Sequence, residues 1–586
     1  MKLIRIPLFI SSQQNNQNQT NRLRMNYQLS TLDYIVFLVY FILILSYGYY
    51  IYKKRHTKEQ DSKAFFLAEG SLTWWAIGAS LIASNISAEQ FIGMSGNGYF
   101  VGIAVSAYEW IAALGLVIIA VWFMPIYLKN KIYTMPQFLQ MRYNETVSLI
   151  MAIFWLFLYV FVNLTSILYL GATAINGLLP GQNHLHEIIV CLAIFAVFIT
   201  LGGMKVIGYT DVIQVTVLIV GGLATTYMAL SMVSEKFGMG GGIISGFNTL
   251  MQQAPEHFHM VMDKPNAASS QEYIDKYMIL PGIAMYAAGQ WILNINYWGC
   301  NQYITQRALG ADLPTARKGI LFAALLKLLM PVIVMLPGIA AYVLHKNGHL
   351  DHLVGGMDGA YSAVLAFLPT GIKGLSLAAL TAAIVASLAG KSNSISTIFT
   401  LDIYKKYFAK EASEQKLVNM GRWVVICAMF ISVIFTWDDI LGIGGAGGFT
   451  FIQKYTGFIS PGVLVVFVLG MFWKRTTGTA AVVGILGGFI LSLFYNEFAP
   501  MVFGNETFYY TAYPNSEGVY KIPFLVAMGI AGIITAILMV VITLFGPKVN
   551  PKAFVSDKSM FKVDNTTLVL IVSILMILSA LYIKFW

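Results

Sequence analysis

Apolar runs of about 20 residues recur along the chain, from LDYIVFLVYFILILSYGYYIY near its start to TLVLIVSILMILSALYI near its end. A helix of that length crosses a hydrocarbon core roughly 30 Å thick. Lipid accepts only helices and closed barrels, because every backbone polar group must be paired internally. Barrel strands would instead alternate apolar and polar residues over shorter segments. Of 586 residues only 11% are charged, and mean hydropathy is +0.69; soluble domains have about 25% charged residues. The chain is therefore read as an all-α polytopic membrane protein. Fourteen spans are expected, at 32–52, 72–99, 103–128, 148–178, 186–203, 208–233, 279–306, 317–345, 371–404, 417–437, 449–473, 477–496, 522–545 and 566–584. The ninth is long for one crossing and is expected to run on into the cytoplasm.

A net charge of +10 would suggest nucleic acid as a partner in a soluble protein. Here the basic residues follow the loops. Alternate loops, from Lys53 and Lys54 through Lys129, Arg142, Lys205, Arg307 and Arg317 to Lys548 and Lys562, hold 23 of the 37 Lys and Arg residues. The opposite loops hold chiefly Lys236, Lys264, Lys276, Lys346 and Lys521. Basic loops stay in the cytoplasm, so the chain is placed in the cell membrane with both termini extracytoplasmic and no nucleic acid as partner. Cys191, Cys300 and Cys427 lie in apolar runs and read as packing residues. No zinc spacing, P-loop or GxSxG motif is present, and no nucleophile–base pair marks an enzyme.

Residues 1–30 form a polar tail with a QQNNQNQ run, expected to be disordered, and Met25 begins a more compact chain. The leading helix and a basic loop take up 31–71, a first repeat 72–233, a loop 234–278, a second repeat 279–473, and trailing helices 474–586. The glycines of GIGGAGG (442–448) read as a flexible turn before a helix.

Polar residues inside the spans need a reason. IASNISAEQFIG (82–93) sets Ser84, Asn85, Ser87, Glu89 and Gln90 at the centre of the second span. A helix breaks in lipid only where protein or water satisfies the freed backbone. S-A-E-Q (87–90) fits a capping box, with Ser87 starting a second half-helix. The carbonyls of Ala83 and Ile86 then become ligands for a small hard cation, and Asn85, Glu89 and Gln90 line a midplane cavity. A kink with Gln90 spent on the cap is the competing reading.

Similar anomalies recur at Asn294 and Asn296 in GQWILNINYWG, at Lys327, at Ser387 and Lys391 in TAAIVASLAGKSNS, and at Gln453 and Lys454. Ionisable groups at such depth mark functional sites by default. The interruptions in spans two and seven lie five spans apart. That spacing is expected of a five-plus-five inverted repeat whose first helix is broken in each half.

ASNISAEQFIGMSGNGY (83–99), YEW (108–110), LYVFVNLTSILYLG (158–171), YTDVIQV (209–215), NYWGCNQYITQR (296–307), AALTAAIVASLA (378–389), STIFTLDIYKKY (396–407) and FIQKYTGFISPG (451–462) stand in order along the chain. Together they resemble the sodium/solute symporter family from about residue 30 to the C-terminus. The resemblance implies a LeuT-like core and Na⁺-driven uptake of a hexose-type sugar. By motif, the sugar would touch Asn85, Glu89, Gln90, Glu109, Asn163, Asn294, Lys327 and Gln453. Amides, carboxylates and an ammonium suit hydroxyls that both donate and accept. Tyr297, backed by Trp298, would be the inner gate, and Met94, Tyr108 and Phe449 the outer lid. The Na⁺ site would use the carbonyls of Ala83, Ile86 and Ala383 with the Ser387 hydroxyl, and Asp211 would assist release.

Three positions depart from that pattern. Ala386 stands where a second hydroxyl ligand is usual. A lost buried partner costs about 1–3 kcal/mol, so Na⁺ affinity is expected to fall roughly 5- to 150-fold unless water fills the gap. Lys391 lies one turn beyond Ser387 on the same helical face. It reads either as a snorkelling or Asp211-paired lysine, or as an ammonium that competes with or replaces Na⁺. Ala112 replaces the serine of galactose-carrying members, which leaves the hexose open. Proton-coupled symport, sodium-independent uniport, and Na⁺ symport of a polyol, sialic acid or amino acid are the alternatives. Oligomeric state is not readable.

Overall fold

The computed structural model describes residues 29–55, 72–179, 184–350, 353, 356–444, 447–555 and 557–586. All but the end of the expected polar tail, the loop lysines Lys58 and Lys63, and part of the GIGGAGG turn lie outside these residues.

The helices used below are α1 (Thr31–Arg55), α2 (Trp74–Asn85), α3 (Ser95–Phe100), α4 (Ile103–Lys129), α5 (Glu145–Asn176), α6 (Leu185–Thr200), α7 (Val206–Lys236), α8 (Gly289–Gly299) and α9 (Gln302–Leu309). They continue with α10 (Leu313–Lys346), α11 (Ile372–Phe408), α12 (Glu414–Trp437), α13 (Gly448–Phe472), α14 (Gly478–Glu497), α15 (Phe524–Leu544) and α16 (Asn565–Phe585).

Among the described residues, eleven helices are long and apolar enough to cross a bilayer, or twelve if the bent pair Gln271–Ala287 and Gly289–Gly299 counts as one. Two of the fourteen expected spans are not in that set. One is the interrupted stretch Trp74–Phe100, whose pieces are individually short. The other is α6, an apolar helix of 16 residues. The seventh span also begins later than residue 279: the chain bends by 84° before Gly289. The ninth runs unbroken to Phe408, its last eleven residues wound as a π-helix.

Two packed groups surround the broken helices. α10 packs on α2, α3 and α4, while α11 packs on α1, α2, α6, α7 and α12. Small residues permit these approaches, as they do generally in membranes. Gly338 of α10 faces the Ser95 carbonyl so closely that a Cβ there would lie 2.1 Å from the oxygen. α13, α14 and α15 form a trailing cluster, and α16 leans on α4 and α10. α16 ends beside the 234–278 loop, where the Phe585 carbonyl accepts from Met260 N at 2.8 Å.

Three arginines counted as loop charges are buried: Arg142, Arg307 and Arg317. Arg142 donates to the carbonyls of Gly470, Trp473 and Thr476 at 2.7, 3.0 and 3.1 Å, closing the C-terminal end of α13. Arg317 donates to the carbonyls of Ala120, Met560 and Lys562. Each of these two guanidinium groups bonds carbonyls of segments separate from its own, which a count of charges along a sequence cannot register. All three cysteines are free.

Candidate functional site

The second span breaks after Asn85. Ile86 is extended (φ −80°, ψ 115°), and helix resumes as a π-wound turn over Glu89–Met94. Side chains hold the break open. The Ser87 N–H, which would bond Ala83 in a continuous helix, bonds Gln90 Oε1 at 2.9 Å. The Gln90 N–H, due at Ile86, bonds the Ser87 carbonyl at 3.1 Å. The Ala83 and Ile86 carbonyls are thereby released from their helical partners. The Ser87 hydroxyl takes the Glu89 N–H at 3.2 Å rather than that of Gln90. The cap thus differs from a full capping box by one donor, and it occupies the Gln90 carbonyl oxygen.

The seventh span breaks at Cys300–Asn301, between α8 and α9. Buried Tyr159 of α5 fills the gap: its hydroxyl accepts the Gln302 N–H at 3.2 Å and donates to Asn301 Oδ1.

Between the two breaks lies a small cavity. Asn85, Glu89, Gln90, Glu109, Asn294, Lys327 and Gln453 line it, with Tyr108, Tyr297, Trp298, Ala112 and Leu293. Asn163 is buried on the π-wound part of α5 and is not among the lining residues. Met94 and Phe449 are buried beside the cavity without lining it. Phe449 instead meets the Tyr108 ring edge-on, with centroids 5.0 Å apart.

The cavity's polar groups are partly prepaired. Lys327 Nζ donates to Glu109 Oε2 and lies 5.3 Å from the Trp298 ring centroid. Pro331 removes the N–H that would bond the Lys327 carbonyl. Gln90 Nε2 donates to Glu89 Oε1 at 3.1 Å. Asn294 Nδ2 is turned onto its own helix, toward the Gln290 carbonyl at 2.9 Å. Asn85 Nδ2 donates to the Tyr297 hydroxyl at 2.8 Å, and Tyr303 donates to the same oxygen. Asn85 Oδ1 is buried without a partner. The set offers unspent acceptors and rearrangeable donors, the chemistry a polyhydroxylated solute needs.

One turn away from this cavity is the other expected site. Ser387 of α11 donates its hydroxyl to the Ser84 carbonyl at 3.1 Å, joining α11 to the end of α2. Ala383 and Ala386 lie buried on the same helix. Lys391 Nζ donates to Ser387 Oγ at 2.9 Å and sits 4.7 Å from the Tyr303 ring centroid. Asp211, expected to assist ion release, has different partners. Ser80 Oγ donates to it at 2.5 Å, and Arg307 Nη2 stands 3.8 Å away. The pairing of Lys391 with Asp211 is therefore not the contact present.

Arg307 is the residue that reading along the sequence missed. It donates to Ser80 Oγ at 2.8 Å, to Ser84 Oγ and to the Tyr303 carbonyl, and so ties α9 to α2. Gly390 makes room for it; a Cβ there would lie 2.6 Å from Arg307 Nη2 and 3.0 Å from Ser84 Oγ. A signal existed: Ser80 and Ser84 are four residues apart on one helical face, and so are Tyr303 and Arg307.

Known proteins are similar to this chain. The model of the sodium:solute symporter family matches residues 65–488. A sodium/glucose cotransporter of Vibrio parahaemolyticus is 40% identical over 95% of this chain and 99% of its own length. A human sodium/myo-inositol cotransporter 2 is 33% identical over 79% of this chain and 69% of its own. A solved Na⁺-coupled sialic acid symporter, substrate-bound and outward-open, superimposes with a TM-score of 0.72 at 21% identity, covering 89% of this chain and 99% of that one. With two interrupted helices facing each other and a family match across most of its length, this multi-pass membrane protein belongs to the sodium:solute symporter family.

Proposed function

We propose that this protein takes up a hexose-type sugar in symport with Na⁺ by alternating access. One observation carries the reading. The carboxylates, amides and ammonium of Asn85, Glu89, Gln90, Glu109, Asn294, Lys327 and Gln453 converge on one cavity between two broken helices. The similarity to a sodium/glucose cotransporter adds weight.

In this reading, sugar hydroxyls accept from Asn85, Gln453 and Lys327 and donate to Glu89, Glu109 and the Asn85 oxygen. Asn163, buried on the π-wound part of α5, belongs to the proposed set. Tyr297 seals the cavity inward through its bonds to Asn85 and Tyr303, with Trp298 behind it. The Tyr108–Phe449 contact, with Met94 beside it, forms the outer lid.

Na⁺ is the co-substrate. The released carbonyls of Ala83 and Ile86, the Ala383 carbonyl and the Ser387 hydroxyl supply hard oxygen ligands between α2 and α11. The ion would join these helices and favour the outward-open form, and Asp211 lies on its path inward. One charge crossing 100 mV supplies about 2.3 kcal/mol, or roughly 40-fold accumulation. The excess of basic residues in one set of loops supports extracytoplasmic termini. The same chemistry argues for a transport role over catalysis. The proposal includes the domain reading of repeats at 72–233 and 279–473, separated by the 234–278 loop.

The test is uptake of labelled hexose into proteoliposomes under imposed sodium, potassium or proton gradients. Accumulation driven by an inward sodium gradient alone supports the reading. Accumulation that ignores sodium, or follows pH instead, overturns the coupling.

A further inference from the structure

The buried charges around the two breaks balance without any ion. Asp211, Glu89 and Glu109 are three acids; Arg307, Lys327 and Lys391 are three bases; all six are buried. Arg307 stands beside Asp211 and Lys327 beside Glu109. Lys391 and Glu89 are the remaining base and acid. A further cation in this interior would leave one positive charge uncompensated, which is costly away from water.

The position of Lys391 matters as much as its charge. Its ammonium is bonded to Ser387 Oγ at 2.9 Å, the one hydroxyl that the proposed cation site retains beside Ala386. The Ser387 proton is committed to the Ser84 carbonyl. A lone pair of the same oxygen is committed to Lys391. The Tyr303 ring holds the ammonium from another side. Ser387, Ser84 and Lys391 thus form a chain linking α11 to the end of α2, the same two helices a bound ion would join.

We propose that the Lys391 ammonium is a tethered cation that competes with Na⁺ for the Ser387 hydroxyl, so that Na⁺ binds only when this side chain has withdrawn. The inference rests on the sodium-symport reading above and assigns Lys391 the setting of its ion affinity. Lys391 is a positioning residue here; it acts through Ser387.

The experiment measures binding of labelled Na⁺ to the purified full-length protein, wild type and Lys391→Met, Lys391→Gln and Lys391→Arg, each checked for a monodisperse gel-filtration peak. Lys391→Met and Lys391→Gln half-saturate at a Na⁺ concentration at least about tenfold lower than wild type, equivalent to about 1.4 kcal/mol. Lys391→Arg, which keeps the charge, stays near wild type. Lys391→Gln keeps the assay usable if the methionine variant does not fold. Equal Na⁺ binding in all four overturns the competition and leaves sodium symport standing. No Na⁺ binding in any of the four, with labelled hexose still accumulating, overturns both.

Discussion

Asn85 at the end of the first broken helix donates a 2.8 Å hydrogen bond to the Tyr297 hydroxyl on the second. This bond crosses the cavity and is reinforced by Tyr303 on the same oxygen. Removing the hydroxyl with Tyr297→Phe leaves two buried donors, Asn85 Nδ2 and the Tyr303 hydroxyl, without their acceptor, at about 1–3 kcal/mol each. The expected outcome is an at least roughly fivefold faster release of labelled sugar from the purified protein, with a lower Tm. Unchanged release would show that Tyr297 is not a gate.

Lys327 and Glu109 form a buried pair whose halves cannot be removed singly at low cost. Lys327→Ala strands a buried carboxylate, at about 3–5 kcal/mol. It is expected to abolish uptake and to lower Tm. Adding Glu109→Gln recovers the Tm and leaves uptake absent, because the solute still lacks the ammonium. Gln453→Ala, which strands no charge, is expected to abolish uptake at normal expression and Tm. Full uptake in Lys327→Ala and Gln453→Ala would remove both residues from the solute site.

Arg142 serves stability at a distance from the cavity. Its fork reaches three carbonyls at the end of α13. Arg142→Ala strips the Gly470 carbonyl of its donor, at about 1–3 kcal/mol, while the Trp473 and Thr476 carbonyls keep bonds from Thr476 and Asn550. Lower yield and Tm are expected, with sugar affinity of the surviving protein unchanged. Arg142→Lys recovers little, since an ammonium lacks the planar fork that spans separated acceptors. Full recovery of Tm by lysine would contradict this account.

His257 lies in the 234–278 loop, in the short turn Pro255–Phe258. Its ring stacks on Tyr342 at 3.9 Å, and its Nε2–H donates to the Tyr99 carbonyl at 3.0 Å. Burial holds the imidazole below its ordinary value of 6.5. The unfolded chain therefore binds more protons than the folded one as pH falls through that range, so stability rises with pH. This contribution is present above about pH 6.5 and is lost as the medium is acidified toward the folded value. Thermal unfolding at a series of pH values should show wild type losing more Tm on acidification than His257→Gln. Parallel losses in the two proteins would exclude His257 as the cause.

The identity of the broken helices was legible in the chain itself. An apolar run interrupted by S-N-I-S and followed by S-x-x-Q carries its own instruction, because capping is local and lipid punishes any unpaired backbone group. The cavity was legible too, for a related reason. Glu89, Lys327 and Gln453 are expensive in hydrocarbon, so each had to face a shared polar space. What the linear order could not supply is who meets whom. Arg307 reads as a cytoplasmic loop charge until α9 folds back and sets it against Ser80, Ser84 and Asp211. Asn163 reads as a solute contact, and the structure places it buried on the π-wound part of α5, outside the residues that line the cavity. Lys391 is four residues from Ser387 in any helix. That its ammonium also meets the Tyr303 ring, leaving Asp211 to Arg307, depends on α2, α9 and α11 closing together. Local hydrogen bonding and hydropathy act within a few residues and can be read in order. Charge pairing and close packing join residues hundreds of positions apart, and only the assembled bundle decides them.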